Sequence, residues 1–320
     1  MSAGRPVGPT GPDGGGPQST GPGRDTPPAG YREERLREMP SLPALYARAV
    51  ARTGRLVLAT IPARDLPPVV LRVDGVRADP TRLAEYQHLV GEPGTDNLPA
   101  GFVHVTAFPL AMAIMVREDF PLGVLGMVHV ANRVEVRRQL TLDDVLTVRA
   151  WATGARTHHR GVTVDLVVEV SAGDELAWRG VSTYLAKGRP PRGLTVAEAA
   201  PRSEPARPPS TPTALWRLTP RETSRYADVS GDRNPIHVSR LGARLFGFRR
   251  PIAHGMDTAA RALAGAPARL RRAPLVWTVE FGKPVLLPTT AAYAVGKDGT
   301  FVVWNRRSGG VHASGTVRPQ

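Results

Sequence analysis

The stretch YADVSGDRNPIHVSRLGARLFGFRRPIAHGM, from Tyr226 to Met256, brings a carboxylate, an imidazole and a helix start into one short segment. Asp232 and His237 flank Asn234-Pro235, and a residue before proline disfavours helix, so an ordered loop is expected here. A carboxylate and an imidazole on one loop can converge on a single water molecule or substrate proton. That convergence is the minimal requirement of general acid–base chemistry.

The end of this stretch predicts the start of a buried helix. His254-Gly255 precede an alanine-rich segment in which Met256, Ala259 and Leu263 fall on one helical face. A glycine at a helix start lets a substrate approach the backbone, and the first free N–H groups can bind a developing oxyanion. Gly255 is therefore the candidate oxyanion donor.

The pattern D-x-N-P-I-H followed by H-G-M closely resembles the MaoC-like (R)-specific enoyl-thioester hydratases. The resemblance continues through Val279-Glu280-Phe281 and through the segment KPVLLP at 283–288. It is specific over roughly residues 213–320 and weaker over roughly 40–190. The whole chain is similar to actinobacterial two-domain 3-hydroxyacyl-thioester dehydratases, with an incomplete first half and a complete second half.

This resemblance implies an α+β tandem hot-dog fold, in which each half is a curved antiparallel sheet around a central helix. It implies reversible removal of water from a (3R)-3-hydroxyacyl thioester to give a trans-2-enoyl thioester. Asp232 and His237 would handle the protons, and which residue handles which proton stays open. Gly255 would stabilise the oxyanion, with Asn234 and His254 binding substrate or supporting the site. No metal or redox cofactor is implied, since coenzyme A or an acyl-carrier protein belongs to the substrate.

Shifts in composition predict the domain boundaries. Gly and Pro dominate the N-terminus, and a second Pro-rich stretch lacks a sustained apolar period. The predicted units are a disordered tail at 1–30, a degenerate hot-dog domain at 31–187, a linker at 188–212 and a catalytic hot-dog domain at 213–320. Within the first domain, Tyr31 to Thr53 predicts a helical lead-in broken at Pro40 and Pro43.

The first half repeats part of the sequence pattern of the second half but lacks its acid–base motif. Phe108 to Met115 occupies the place of the second half's helix, and Val134-Glu135 matches Val279-Glu280. The first half has no D-x-N-P-x-H, and Pro109 aligns with Gly255 but carries no N–H. The first half is thus expected to be a structural partner that completes the acyl pocket. The remaining histidines are interpreted as structural or surface residues: His88, His104, His129, His158, His159 and His312.

Composition narrows the class of protein. A hydrophobic content of 41% supports packed cores, and no apolar run is long enough to span a bilayer. The absence of cysteine excludes disulfides and thiolate chemistry, and with no apolar leader it predicts a cytoplasmic protein. The net charge of +14 fits either an anionic partner or a solvated surface. No basic run is interleaved with aromatics, so no nucleic-acid partner is expected.

Two other functions remain open from sequence. A hot-dog thioesterase would hydrolyse the thioester, and an acyl-binding subunit would catalyse nothing. The complete motif of the second half favours dehydration over both. The chain is expected to be a monomeric pseudo-dimer or a homodimer, and its expected partner is acyl-CoA or acyl-carrier protein.

Overall fold

A computed structural model describes residues 26–58, 65–199 and 204–320, with side chains described up to residue 52 in the first range. Its strands are β1 Arg32–Leu36, β2 Val69–Val76, β3 Val128–Val136, β4 Leu146–His158, β5 Gly161–Ala172, β6 Glu175–Lys187, β7 Ala214–Leu218, β8 Leu275–Phe281, β9 Thr289–Val295, β10 Thr300–Asn305 and β11 Val311–Pro319. Its α-helices are α1 Leu42–Leu58, α2 Pro80–Val90, α3 Ala100–Met115, α4 Pro220–Ser230, α5 Pro235–Val238, α6 Arg240–Leu245 and α7 Gly255–Ala264.

These strands form one sheet in the order β1-β2-β4-β5-β6-β3-β8-β11-β10-β9-β7. All neighbouring pairs are antiparallel except β1 with β2. The two halves meet where β3 pairs with β8, with Val134 opposite Trp277 and Asn132 opposite Val279. We call this β3–β8 pairing the seam. Backbone hydrogen bonds across the seam therefore join both halves into a single sheet.

Each half wraps a central helix. Helix α3 packs on β2, β4, β5 and β6, and α7 packs on β8, β10 and β11. Both helices carry small residues where the sheet approaches closely, such as Ala111 in α3 and Ala259 in α7, and both of these side chains are buried. The α+β tandem hot-dog fold expected from the sequence is confirmed. None of the described helices is both long enough and apolar enough to cross a bilayer.

The lead-in segment differs from the helix predicted for Tyr31 to Thr53. Its first part is strand β1, which pairs in parallel with β2 through Arg32 and Val69. Helix α1 begins only at Leu42 and runs through Pro43. Proline is tolerated there because the first turn of a helix has no intrahelical acceptor for its backbone N–H.

The predicted correspondence between Pro109 and Gly255 is also offset. Pro109 lies inside α3, which begins at Ala100, whereas Gly255 is the first residue of α7. The central helix of the first half therefore extends further toward the N-terminus than its counterpart.

The domain boundaries stay predictions. Strand β6 ends at Lys187 and β7 begins at Ala214, and an isolated bridge joins Arg156 to Ala197 between them. Of the predicted tail, residues 1–25 lie outside the described residues, as do residues 200–203 of the predicted linker.

The seam predicts how the second half behaves alone. Residues 213–320 expressed without the first half would expose the edge of β8 that normally bonds β3, together with apolar surface. We expect this fragment to self-associate or to be poorly soluble, as measured by light scattering after size exclusion beside the full chain. A monomeric, fully active fragment would contradict the pairing of the two halves as a functional unit.

Candidate active site

The acid–base segment is held by two successive helix caps. Thr219 and Glu222 form the capping box that starts α4, and Gly231 ends that helix with φ 75°. Asn234 then caps α5, its Oδ1 accepting from the N–H of Ile236 at 3.3 Å. The segment expected to be a loop therefore contains a helical turn at Pro235–Val238, because Pro235 occupies its first position. The side chain of Asn234 folds back on this turn.

Asp232 lies between the two helices with one carboxylate oxygen already engaged. Its Oδ1 accepts from the hydroxyl of Tyr46 and from the N–H of Asn234 at 3.2 Å. Burial raises the pKa of Asp232, but His254, His237 and these two donors outweigh burial and lower it. Asp232 is thus an ionised carboxylate at neutral pH, and its Oδ2 lies 3.8 Å from Nε2 of His254.

His237 is oriented by the chain that leads into α7. Its Nδ1 lies 2.8 Å from the carbonyl oxygen of Ile252, so Nδ1 carries a proton and Nε2 is left as an acceptor. Burial lowers the pKa of His237, against the opposing effects of Asp232 and the Ile252 carbonyl. A neutral imidazole with a free Nε2 is a competent general base.

His254 supports this pair. Its Nε2 donates to the backbone carbonyl of Asp232 at 2.8 Å, and its ring stacks on His237 with centroids 3.8 Å apart. Burial and the neighbouring His237 lower the pKa of His254 to about 3, so it is neutral. Its Nδ1 is buried, and no residue in the described ranges hydrogen-bonds to it. His254 therefore fixes the position of Asp232 and packs against the ring of His237.

The ligand atoms of Asp232, His237 and His254 lie within 4.8 Å of one another, which is close enough for a metal ion. Two of the nitrogens in this group already donate to backbone carbonyls, at Ile252 and at Asp232. The expectation of a reaction without a metal stays a prediction.

Gly255 begins α7 beside the wall of the cavity. A Cβ atom at this position would lie 3.1 Å from Cε1 of Phe281, which is tighter than ordinary van der Waals contact. No described residue accepts a hydrogen bond from the backbone N–H of Gly255. That N–H also lies at the positive end of the helix dipole. The lack of a side chain at Gly255 thus lets a substrate oxygen come close to this backbone N–H.

All five candidate residues line one cavity of about 900 Å³, the size of a substrate pocket. Both halves contribute to its wall. Apolar side chains of the first half that line it are Val105, Phe108, Met112, Met115, Leu125 and Met127. The expectation that the first half completes the acyl pocket agrees with this lining.

Sequence reasoning missed polar residues that the first half adds to the cavity. Tyr46, on α1, bonds the carboxylate of Asp232 across 186 positions of sequence. His104 and His129, interpreted from sequence as structural or surface residues, line the same cavity with Tyr184. Their contacts cross between strands and helices far apart in the chain, so no local pattern marks them.

The sequence and the structure of this chain are both similar to those of known proteins. A family model described as "MaoC like domain" matches residues 197–314. The 3-hydroxyacyl-thioester dehydratase X of Mycobacterium tuberculosis is 38% identical over 238 residues, 73% of this chain and 83% of the relative. The crystal structure of HtdX from the same organism has a TM-score of 0.68 and 34% identity over 77% of this chain and 98% of that chain. A MaoC-like dehydratase from Phytophthora capsici shares the fold, with TM-score 0.60 and 20% identity over 82% of this chain and 98% of that one.

Proposed function

Because this chain belongs to the MaoC-like dehydratase family, we propose that it catalyses reversible dehydration of (3R)-3-hydroxyacyl thioesters to trans-2-enoyl thioesters. The observation that carries the proposal is the pair formed by ionised Asp232 and neutral His237 on one cavity wall. Their free atoms, Oδ2 of Asp232 and Nε2 of His237, are both acceptors at neutral pH. The water of the reverse reaction can donate to both atoms. A substrate hydroxyl, with its single proton, can donate to Asp232 while Nε2 of His237 stays free to take the proton from Cα.

In the proposed elimination, the proton removed from the substrate is returned to the leaving group within this site. His237 Nε2 takes the proton from Cα, and the electron pair moves toward the thioester carbonyl. The C3–O bond then breaks, and the protonated imidazole gives the same proton to the departing hydroxyl, which leaves as water. Asp232 orients that hydroxyl and stabilises the transient imidazolium. His254 and Asn234 support the position of Asp232 and do not exchange protons.

The enolate-like oxygen needs a hydrogen-bond donor that keeps its own proton during the reaction. We propose the backbone N–H of Gly255, strengthened by the N-terminus of α7.

The carrier of the acyl group is proposed to be anionic, as both coenzyme A and the phosphopantetheine of acyl-carrier protein are. Support comes from three exposed cations in the outer lining of the cavity, Arg160, Lys187 and Lys283. The exposed carboxylate of Glu280 also lies in this lining. Three cations against one exposed acid favour phosphate groups at the entrance.

The decisive experiment supplies a trans-2-enoyl-CoA and follows two signals together. Hydration removes the conjugated enoyl absorbance without releasing thiol, whereas a thioesterase releases thiol that a colorimetric reagent detects. We expect hydration with an (R) product and no thiol. Thiol release without hydration would favour the thioesterase, and neither signal would favour an acyl-binding subunit. Repeating the assay with the acyl-carrier thioester identifies the preferred carrier.

Tyr46 gives a prediction about pH. Its hydroxyl donates to Asp232 and so favours the ionised carboxylate, which lowers the pKa of Asp232. In Tyr46→Phe that pKa rises, so the acid limb of the kcat/KM profile should move to higher pH. We expect kcat/KM to fall by roughly 10-fold at neutral pH, the size of a charge-assisted hydrogen bond.

The matched control for this prediction is Tyr293→Phe. It also removes a tyrosine hydroxyl, one that donates to the carbonyl of Ala262 at 2.9 Å. The control should leave the acid limb in place. An unmoved limb in Tyr46→Phe would show that the contact with Asp232 does not set its ionisation.

Three further expectations remain predictions: a cytoplasmic location, the oligomeric state and a reaction independent of metal.

A further inference from the structure

Helix α6 and the residues that follow it separate the cavity from solvent. Phe246 and Phe248 line the cavity and are half-buried, whereas Leu245 and Arg249 beside them are exposed. This segment is therefore a thin wall, with the cavity on one side and solvent on the other. A protein bound to its outer side would lie next to the pocket that receives the acyl group.

The outer side of this wall exposes apolar side chains. Leu241 is 69% exposed and Leu245 is 76% exposed. They lie one helical turn apart on α6, so their side chains share one face. Val238, just before this helix, is exposed as well. Single exposed apolar residues are common on protein surfaces, but three within eight positions form a cluster, and such clusters mark sites of interaction.

The same segment is rich in arginine. The stretch from Arg233 to Met256 contains five arginines and no carboxylate. Arg240 and Arg244 are exposed and lie one turn apart on α6, next in sequence to the two leucines. No described residue forms an ion pair with Arg240, Arg244 or Arg249. A partner that complements this surface is therefore acidic and also carries apolar side chains.

We call the exposed residues of this wall the α6 patch; they are Val238, Arg240, Leu241, Arg244, Leu245 and Arg249. A second copy of the chain, packed on the same face about a two-fold axis, would place arginines against arginines. An anionic membrane would attract the arginines, but a helix of six residues offers little of the extended apolar face that membrane-bound helices insert. An acidic protein matches both the charge and the small apolar area.

We propose that the α6 patch is the docking surface for an acidic acyl-carrier protein, which delivers its acyl thioester to the adjacent cavity. This inference rests on the proposed dehydratase function, because that function makes an acyl thioester the substrate. The arginines pair with carboxylates of the carrier, and the leucines contact apolar side chains between them. Coenzyme A also offers anionic phosphates, but it has no apolar protein surface to cover the leucines.

The test follows hydration of one trans-2-enoyl chain presented on coenzyme A and on a purified bacterial acyl-carrier protein. In Arg240→Glu/Arg244→Glu, kcat/KM for the carrier-protein thioester should fall by roughly 10-fold or more, because charges at the rim of an interface set the rate of association. The same variant should turn over the coenzyme A thioester almost as well as the unaltered enzyme does. Both substituted side chains are exposed, so the fold should persist.

Leu241→Ser/Leu245→Ser separates apolar contact from charge. It should also lower kcat/KM for the carrier-protein thioester, since it removes apolar area that docking buries. Added salt should weaken the reaction of the carrier protein with the unaltered enzyme and with this variant, because both keep the arginines. Salt should not weaken the reaction with the glutamate variant.

Arg221→Glu/Arg225→Glu is the matched control. It reverses two exposed arginines with the same spacing on α4, and neither residue lines the cavity. This control should retain kcat/KM with both thioesters. Calorimetric titration of the carrier protein, bearing its phosphopantetheine, reports docking without turnover, and its affinity should fall in both α6 variants and not in the control.

Three results would overturn the proposal. The first is equal affinity of the carrier protein for the unaltered enzyme and both α6 variants. The second is sedimentation with phosphatidylglycerol vesicles that the serine variant abolishes, which would assign the α6 patch to a membrane. The third is a dimer of the unaltered enzyme that the serine variant dissociates, which would assign it to a second copy. Failure of the dehydratase function looks different, because the unaltered enzyme would then hydrate neither thioester while calorimetry still measures docking.

Discussion

Asp232→Asn is expected to lower hydratase turnover by ~10²–10⁴-fold, and His237→Gln by a similar factor. Asparagine keeps an oxygen that can accept from Tyr46, so the local fold should persist while the carboxylate charge is lost. Glutamine removes the basic Nε2 of the imidazole. Because both groups act on one hydroxyl, the double variant should lose little more than either single variant. Stopped-flow or steady-state hydration of a trans-2-enoyl-CoA measures the turnover of both single variants and of the double variant.

Asp228→Asn is the matched control for this pair. Asp228 lies on α4, the helix that precedes Asp232, is more than half exposed, and pairs with Arg233 at the surface. It should retain full turnover. If well-folded Asp232→Asn and His237→Gln enzymes both retained near-normal turnover, the acid–base assignment would be wrong.

Gly255→Pro is expected to lower turnover by ~10²–10³-fold, the usual loss for one oxyanion donor. Proline is well accommodated at the first position of a helix, so α7 should still form. The substitution nevertheless removes the backbone N–H. It also adds a Cβ atom about where Phe281 must give way, at 3.1 Å.

Gly255→Ala separates these two effects. It adds the same Cβ atom against Phe281 but keeps the N–H, so its loss of rate measures crowding alone. The difference in kcat between the alanine and proline variants then measures the donor. Equal turnover in both variants, with folding verified by circular dichroism, would exclude this amide as the oxyanion donor.

The sequence predicts the reacting pair well because its information is local. Asp232 and His237 are five residues apart, and Gly231, Asn234 and Pro235 dictate the turn between them through caps and a restricted φ. The helix start at Gly255 follows from small residues with helical spacing. The match of Phe108 to Met115 and of Val134-Glu135 to the second half is local as well, and it indicates a repeated unit.

Contacts between distant segments account for what the sequence does not reveal. Tyr46 reaches Asp232 only after α1 of the first half packs beside the second, and nothing in YARAV marks that approach. His129 and Tyr184 meet because β3 and β6 pair. The sequence does not predict strand β1 because REERL has four charged side chains and one apolar one, and only pairing with β2 makes it a strand.

The seam between β3 and β8 also governs how the enzyme responds to dilution. A site shared between two separate chains disappears as the concentration falls below their dissociation constant. Here the partners of the seam belong to one polypeptide, so their effective concentration is set by the connecting chain and not by the solution. We therefore expect that dilution will not separate the two sides of the seam. Every half that bears the reacting pair is also supplied with one half that lacks it.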